Sequence, residues 1–584
     1  MSHRRQSISK AAVCVALFLG LMVMRIKAHP VAQVFTSELG RMPAIPQPYR
    51  MRNWSRVSRQ FYKVVFDSRA SGPFLPLIHM IQATHIEAHA FVMPSYVDQK
   101  PDVRSSAQAL SDMGAVWGAT LVGRNMSAGT INYVRLLERF FDPSVGHGLF
   151  GNNFRSANPQ ATAWYTIFPD ITAAAISARY PAERKLAKMC RATALSWADA
   201  IPYFKKPDGR YDFNYTGFNF STMRPVYNGR WREPDMAAGI AWVEYMAWRR
   251  WHDPVFLHAA KACMQYLSNL PRSNNPSYEV LTPFGVIAAI RMNVELRKHY
   301  PVKKFLYWCF SRYHARPTWG VENAQWDGQD VNGLVGAVNH PPQRPWGVGG
   351  YAFFMETATQ LWALAPVARY DQRYATALGK WILNTANASR LFYGKFHPAA
   401  RQSDPGWALG ESLIAYEGLK YRRDYPGQPL IATGDRKSFL DPGRSGRNYH
   451  AGATNYCLYG AVYVGVLGSL VQKTNVRGIL QINLGSTDTS APVGFPTFLF
   501  YNPYKRMRTV TIKIGSKKVN LYNTMSGDFI AHNVSGTAPV SVPPNSAVIL
   551  VYTAADGVVS YHRHETLVNN CVIDYRHGQR TSDE

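Results

Sequence analysis

Residues 170–180 read DITAAAISARY, and residues 181–200, which follow at once, read PAERKLAKMCRATALSWADA. The first segment is rich in small and apolar residues on every side of a helix, which is typical of a helix buried all round. The second carries a one-sided apolar stripe, which predicts a helix that faces a core on one side only. Together they predict a helical hairpin with one inner and one outer helix.

The same pairing recurs along the chain. Small-residue-rich segments begin near Leu110, Pro169, Asp235, Leu281, Trp346 and Asp404. An inner ring of these helices, wrapped by an outer ring of amphipathic partners, satisfies both patterns. The connections that lead into the inner segments are long and aromatic, as in WYTIF (164–168) and RPTWGVENAQWDGQD (316–330). Long structured loops at one end of a rigid scaffold form clefts, so we expect an active site at the N-terminal ends of the inner helices.

The composition divides the chain into regions. Residues 1–28 have a basic start, an apolar run and Ala28 at the end, as in a secretory signal peptide. Residues 29–108 suggest an irregular or partly β-structured region, and 109–474 contain the helical hairpins. Short strand candidates at regular spacing over 475–556 predict an antiparallel β-sandwich. Residues 557–584 form a polar tail. The helical segment 452–473 either closes the ring as its twelfth helix or begins a seventh pair.

The charge points to an exported protein with a carbohydrate partner. The formal net charge is +28, and removal of residues 1–28 would leave about +23. The basic residues are dispersed and no nucleic-acid-binding motif accompanies them, so we do not expect nucleic acid as a partner. After signal cleavage no apolar run is long enough for stable membrane insertion. An anionic polysaccharide in the periplasm or outside the cell fits the charge, and so does a generally basic exported protein.

The hairpin array followed by strands such as TFLFYNPYKRMRTVTIKIG (497–515) resembles the six-hairpin (α/α)6-toroid carbohydrate-active enzymes with a C-terminal β-sandwich. The resemblance covers roughly residues 109–555 as architecture. It implies a mainly α fold and a glycoside hydrolase or a polysaccharide lyase, with no specific family singled out.

Glycoside hydrolysis needs two carboxyl groups across the scissile bond. The predicted mouth offers Glu233 or Asp235 as general acid and Asp327 or Glu411 as general base, in an inverting course. Side chains expected to contact the sugar are Trp231, Glu322, Trp326, Asp330, His340, Arg344, Trp346 and Tyr351.

Other interpretations stay open for these residues. Pro234 between Glu233 and Asp235 also fits helix capping, as do Asp170 and Asp404. Asp327-Gly328 also fits a turn, and the acids around it also suit a structural calcium, although no metal or other cofactor is expected for catalysis.

Two other functions remain. A lyase of the same fold would use Asn339-His340, Arg344 and Tyr351, or Asn448-Tyr449-His450 and Tyr456. A glycan-binding protein without catalysis would bind sugar and would not depend on any carboxylate for activity.

Overall fold

The computed structural model describes residues 31–82, 90–99, 108–153, 162–340, 349–422, 430–434, 454–489 and 494–575. The predicted signal peptide, Arg344, Trp346 and residues 448–450 lie outside these ranges, and so do the side chains of Asn339 and His340.

The helical part contains α-helices of four to seventeen residues. In chain order they are α1 (Ser37–Arg41), α2 (Trp54–Val65), α3 (Ala109–Leu121), α4 (Tyr133–Leu136), α5 (Trp164–Arg179), α6 (Arg184–Ala200), α7 (Met236–Trp251), α8 (Pro254–Asn269), α9 (Thr282–Leu296), α10 (Val302–Phe310), α11 (Phe354–Leu364), α12 (Val367–Tyr370), α13 (Ala375–Ala388), α14 (Ala408–Leu413), α15 (Leu458–Ala461) and α16 (Val464–Leu470).

Inner helices pack in cyclic order. Helix α3 packs against α5, and the contacts continue through α7, α9, α11 and α16 back to α3. Most residues of these helices are buried, in agreement with their small-residue composition. Amphipathic helices lie outside the ring: α2 packs on α3 and α16, α6 on α5 and α7, α8 on α7, and α10 on α9.

Two predicted inner helices differ from the structure. The segment predicted to begin near Trp346 starts as a helix only at Phe354, because residues 349–353 form a strand. The segment predicted from Asp404 is helical only over α14 and then becomes extended. The sixth position of the ring is filled instead by α15 and α16, within the segment 452–473.

The strands are mostly short. In chain order they are β1 (His79–Ile81), β2 (Ala90–Val92), β3 (Phe141–Asp142), β4 (Leu149–Phe150), β5 (Gly217–Asn219), β6 (Arg224–Val226), β7 (Gly320–Val321), β8 (Gln325–Trp326), β9 (Gln329–Asp330), β10 (Val335–His340), β11 (Gly349–Phe353), β12 (Gly418–Arg422), β13 (Leu430–Thr433), β14 (Val471–Lys473), β15 (Leu480–Asn483), β16 (Thr497–Asn502), β17 (Arg508–Asn523), β18 (Asp528–Val542), β19 (Ser546–Ala554), β20 (Val559–His562), β21 (Glu565–Val568) and β22 (Cys571–Asp574).

An antiparallel five-stranded sheet in the order β13-β12-β11-β10-β7 lies at the start of α11. No local pattern in the sequence predicts this sheet. Its register pairs Phe353 with Gly418 and so brings the start of α11 beside the residues that precede β12.

The C-terminal region is an antiparallel six-stranded sheet in the order β14-β15-β16-β19-β17-β18. It begins at Val471, four residues before the predicted boundary. Residues 557–575, predicted as part of a polar tail, contain a second sheet of β20, β21 and β22. Val568 and Ile573 of this sheet pack on Tyr522 and Val551, and this apolar contact explains why the segment is ordered.

Among the described residues, no helix is both long and apolar enough to cross a membrane.

Candidate active site

Buried carboxylates near the N-terminal ends of inner helices hold neighbouring loops. Asp112 accepts a hydrogen bond from the backbone N–H of Met93 (2.9 Å), and Asp170 accepts one from Phe150 (3.1 Å). Asp235 accepts one from Tyr278 (2.9 Å). A buried backbone donor without a partner is costly, so these bonds fix the loops at the mouth.

Glu233 and Asp235, the predicted general acids, belong to this structural arrangement. Glu233 is 0% exposed and Asp235 is 1% exposed. The Oε2 atom of Glu233 accepts from the backbone N–H of Trp164 at 3.1 Å. Burial, and then the charge of Asp235, raise the pKa of Glu233 well above its usual value, and burial raises the pKa of Asp235 to about 7. Carboxyl groups buried to this extent present no open face to a sugar.

Asp327, a predicted general base, occupies a hairpin turn. It joins β8 to β9, and both Asp327 and Gly328 have positive φ (48° and 73°), as a two-residue hairpin turn requires. Its carboxylate forms an ion pair with Arg401. The turn interpretation therefore accounts for Asp327-Gly328.

Glu411, the other predicted base, lies on α14, which packs on the outer helix α2. Its Oε1 atom accepts from the backbone N–H of Gly406 at 2.9 Å. This contact is local to its own loop and gives Glu411 no partner on an inner helix.

Four of the five predicted sugar-contacting residues whose side chains the structure describes are buried. Trp326 is 1% exposed and stacks on Tyr421 with ring centroids 5.4 Å apart, so neither face of a buried ring is open to a ligand. Tyr351 is also buried, and its hydroxyl donates to the carbonyl of Thr433 at 3.2 Å. Burial of both rings argues against the predicted sugar contacts, which stay predictions.

Glu322 and Asp330 also have structural partners. Glu322 is buried and lies 3.9 Å from Arg312. Asp330 accepts from the backbone N–H of Gln47 at 2.6 Å and so ties the N-terminal segment to the β8–β9 hairpin. Among the described parts of the chain, no group of three or more His, Cys, Asp or Glu side chains could hold a metal ion.

Trp231 is the one predicted contact that stays beside the mouth with part of its surface open. It is two residues from Glu233, and the guanidinium of Arg230 lies 4.3 Å from its ring centre. His340, Arg344 and Trp346 cannot be placed, since their side chains lie outside the described residues.

Tyr165 is a partly exposed aromatic side chain in the first turn of α5. It is 36% exposed, and its ring stacks on that of Trp164 with the ring centroids 4.0 Å apart. Burial raises the pKa of its hydroxyl to about 12, with further effects from the charges of Arg316, Glu356, Glu417 and Glu233. These four charged groups therefore lie near the Tyr165 hydroxyl.

Two of these charged groups, Glu356 and Glu417, meet at the junction of sheet and ring. The backbone N–H of Phe354 donates to the carbonyl of Glu417 at 3.2 Å, and Glu356 follows two residues later in the first turn of α11. Each glutamate is 6% exposed. The hydroxyl of Tyr459 donates to the carboxylate of Glu417, and Tyr96 packs edge-on against Tyr459 at 5.8 Å.

A basic and aromatic group faces the same tyrosine. Arg316 lies 3.8 Å from the ring centre of Trp319 and 5.3 Å from that of Tyr278, and it forms an ion pair with Glu279. Its side chain is 31% exposed. A partly exposed guanidinium on aromatic rings is suited to an anionic or hydroxyl-rich ligand.

The sequence carried a signal for part of this site. Tyr165 lies in WYTIF, and Arg316 and Trp319 lie in RPTWGVENAQWDGQD. Both segments belong to the aromatic connections that predict the active-site end of the ring. Glu417 and Tyr459 gave no such signal, because their proximity depends on the unpredicted β11–β12 pairing.

Neither a protein-family model nor a curated protein sequence matches the chain. The chain is similar to solved structures of carbohydrate-active proteins. One is a GH127 β-L-arabinofuranosidase from Geobacillus stearothermophilus T6, with 10% identity, 79% of this chain and 75% of that chain covered, and a TM-score of 0.33.

A family 76 glycoside hydrolase from a bovine Bacteroides thetaiotaomicron strain has 9% identity, with 72% of this chain and 78% of that chain covered and a TM-score of 0.38. A sialidase has 11% identity, with 89% of this chain and 43% of that chain covered and a TM-score of 0.40. All three TM-scores are below 0.5, so these similarities do not establish a shared fold.

Proposed function

We propose that the chain is an exported glycoside hydrolase with an (α/α)6 toroid and a C-terminal β-sandwich, and that it cleaves an acidic oligo- or polysaccharide. The cyclic packing of six inner helices supports the toroid. The observation that carries the activity is that the charges of Glu356 and Glu417 both act on the hydroxyl of the partly exposed Tyr165, while a backbone hydrogen bond from Phe354 to Glu417 holds their two segments together.

Each carboxyl group has a role in this proposal. A hydrogen bond to a carboxylate favours its ionised form, so Tyr459 suits Glu417 to act as the general base that takes a proton from water. Glu356 would donate its proton to the departing glycosidic oxygen. Water then attacks the anomeric carbon in a single displacement with inversion. This pair replaces the pair predicted from the sequence.

Arg316 and Tyr165 would bind the sugar. A pyranose ring has apolar faces that stack on tyrosine, and a uronate carboxylate pairs with a guanidinium. The basic net charge of the chain also favours an acidic substrate through long-range attraction.

The experiment is hydrolysis of a panel of neutral and uronate-containing glycans by the purified chain, with two signals followed together. Reducing ends without ultraviolet absorbance from an unsaturated uronide are the expected result. Both signals rising in step would indicate β-elimination and would overturn the hydrolase proposal. Binding without either signal would indicate a non-catalytic glycan-binding protein.

A further inference from the structure

A basic groove of about 1330 Å³ lies at the C-terminal end of α9, away from the cleft. Its walls are the link from α9 to α10 and the turn between β20 and β21. Helix α9 has 15 residues and therefore spans about 20 Å at 1.5 Å per residue, so the groove and the N-terminal end of the ring are well separated.

Seven arginine and lysine side chains line the groove. Arg373 pairs with Asp371, and Lys304 donates to two backbone carbonyls. The other five are Arg272, Arg297, Lys298, Lys303 and Arg563. Among the described residues, none of their side chains has a carboxylate within 4.0 Å. Unpaired cations that share one concave surface create a positive potential there.

The acids of the groove are mostly committed to other partners. Glu295 lies 2.7 Å from Arg291 and 3.3 Å from Arg249. Asp371 pairs with Arg373 at 2.7 Å. These ion pairs leave Glu565 as the acid that faces Arg297 and Arg563, so a net positive charge remains.

We propose that this basic groove binds a polyanionic glycan chain and holds the protein on its substrate, apart from the catalytic cleft. Five cations from separate segments that line one groove suit repeated carboxylate or sulfate groups better than one compact anion. Half-buried Tyr300 and Tyr307 in the groove provide surfaces on which sugar rings can pack, and Arg272 lies 3.8 Å from the ring centre of Tyr307. The choice of a glycan over a nucleic acid rests on the proposed function.

A triple variant tests the groove without strain. Arg297 and Arg563 have positive φ (55° and 57°), and asparagine tolerates this conformation, so both are replaced by asparagine. The triple variant combines Arg297→Asn, Lys298→Gln and Arg563→Asn. The control is Lys513→Gln, Lys517→Gln and Lys518→Gln on the exposed part of β17, which removes the same charge. Melting temperatures are measured first to confirm that both variants fold.

The measurement is binding of the full chain to immobilised polygalacturonate at two salt concentrations. Each cation near an anionic surface contributes about fivefold in affinity, so loss of three cations should weaken binding by the groove variant roughly 100-fold. We expect the control to bind nearly as well as the wild type. Equal losses in both variants would show that bulk charge alone acts and would overturn the proposal. Binding of a single-stranded DNA oligomer to the groove as tightly as the glycan would also overturn the proposal.

This outcome is independent of catalysis. The groove variant is expected to cleave a short soluble oligosaccharide at the wild-type rate, since the groove does not line the cleft. If no glycan is cleaved but polygalacturonate binding is lost in the groove variant, the proposed hydrolase fails and the groove stands.

Discussion

Carboxyl groups near the ring have two kinds of environment. Asp235 is 1% exposed and its Oδ2 atom accepts from a backbone N–H, whereas Glu356 and Glu417 are each 6% exposed. A sequence shows the acids but not which of them a neighbouring loop will cover.

Asp235→Asn tests the structural role. Burial raises the folded-state pKa of Asp235 to about 7, whereas an unfolded aspartate titrates near 3.9. Between about pH 4 and pH 7 the folded state therefore holds more protons, and the stability of the wild type falls as pH rises. Asparagine does not titrate and can still accept from Tyr278, so the variant should gain stability relative to the wild type on going from pH 5 to pH 8.

Because the unfolded aspartate is already ionised at pH 5, the relative gain between pH 5 and pH 8 is limited to about 2.7 kcal/mol, at 1.36 kcal/mol per pKa unit from pH 5 to pH 7. Denaturant unfolding of both proteins at the two pH values measures the difference. A stability difference that stays constant with pH would show that Asp235 is ionised in the folded protein and would contradict the assignment.

Helices α3 and α16 close the ring by packing against each other at Gly118 and Gly465. A Cβ atom on Gly465 would lie 2.3 Å from the carbonyl oxygen and 2.5 Å from the Cα atom of Gly118. The hydroxyl of Tyr62 fixes the same contact, since it accepts from the backbone N–H of Gly465 at 3.0 Å and donates to the carbonyl of Val462. Two helices can approach this closely only where side chains are absent.

Gly465→Ala should therefore destabilise the protein by about 1–3 kcal/mol or more, because backbone atoms must move apart. Gly40→Ala on α1 is the matched control, since its Cβ meets nothing within 4 Å. Thermal unfolding measures both variants. Equal melting temperatures for the two variants would show that the ring does not close through this contact.

The start of a helix was predicted correctly where the local pattern of small and apolar residues determines it. The segments beginning near Leu110, Asp235 and Leu281 form helices within one or two residues of the predicted start. The segment from Trp346 failed because its first residues pair with β12, seventy residues later in the chain. Local periodicity cannot show a strand whose partner is so distant.

A buried polar network connects the helical ring to the C-terminal sheets. Asp488, in the connection between β15 and β16, accepts from the hydroxyl of Tyr370 (2.6 Å) and from Arg369 (3.1 Å). Arg291 of α9 lies 3.5 Å from the same carboxylate. A second link is formed by Asp574, which accepts from Gln372 at 3.2 Å.

Asp488→Ala should cost about 3–5 kcal/mol, because it leaves two buried guanidinium groups without this carboxylate. Asp556→Ala, which removes an exposed acid from the same region, should change stability little. Calorimetry of the full chain compares the two. If Asp488→Ala melts like Asp556→Ala, the network does not hold the two parts together.

Across the whole molecule, the broad arrangement of hairpins followed by strands was predictable. The cleft at the N-terminal ends of the inner helices stays a prediction. The choice of carboxylates was not predictable. Glu417 depends on strand pairing, and Trp326 and Tyr351 were chosen for their chemistry although the fold buries them.

The central claim is that Glu356 and Glu417 perform the hydrolysis. The most direct test compares initial rates of glycan cleavage by Glu356→Gln and Glu417→Gln with those of Asp327→Asn and Glu411→Gln, at equal folded concentration. We predict losses of about 10²–10⁴-fold for the first pair and changes within about threefold for the second. Full activity in Glu356→Gln and Glu417→Gln, with a loss in Asp327→Asn or Glu411→Gln, would contradict the claim.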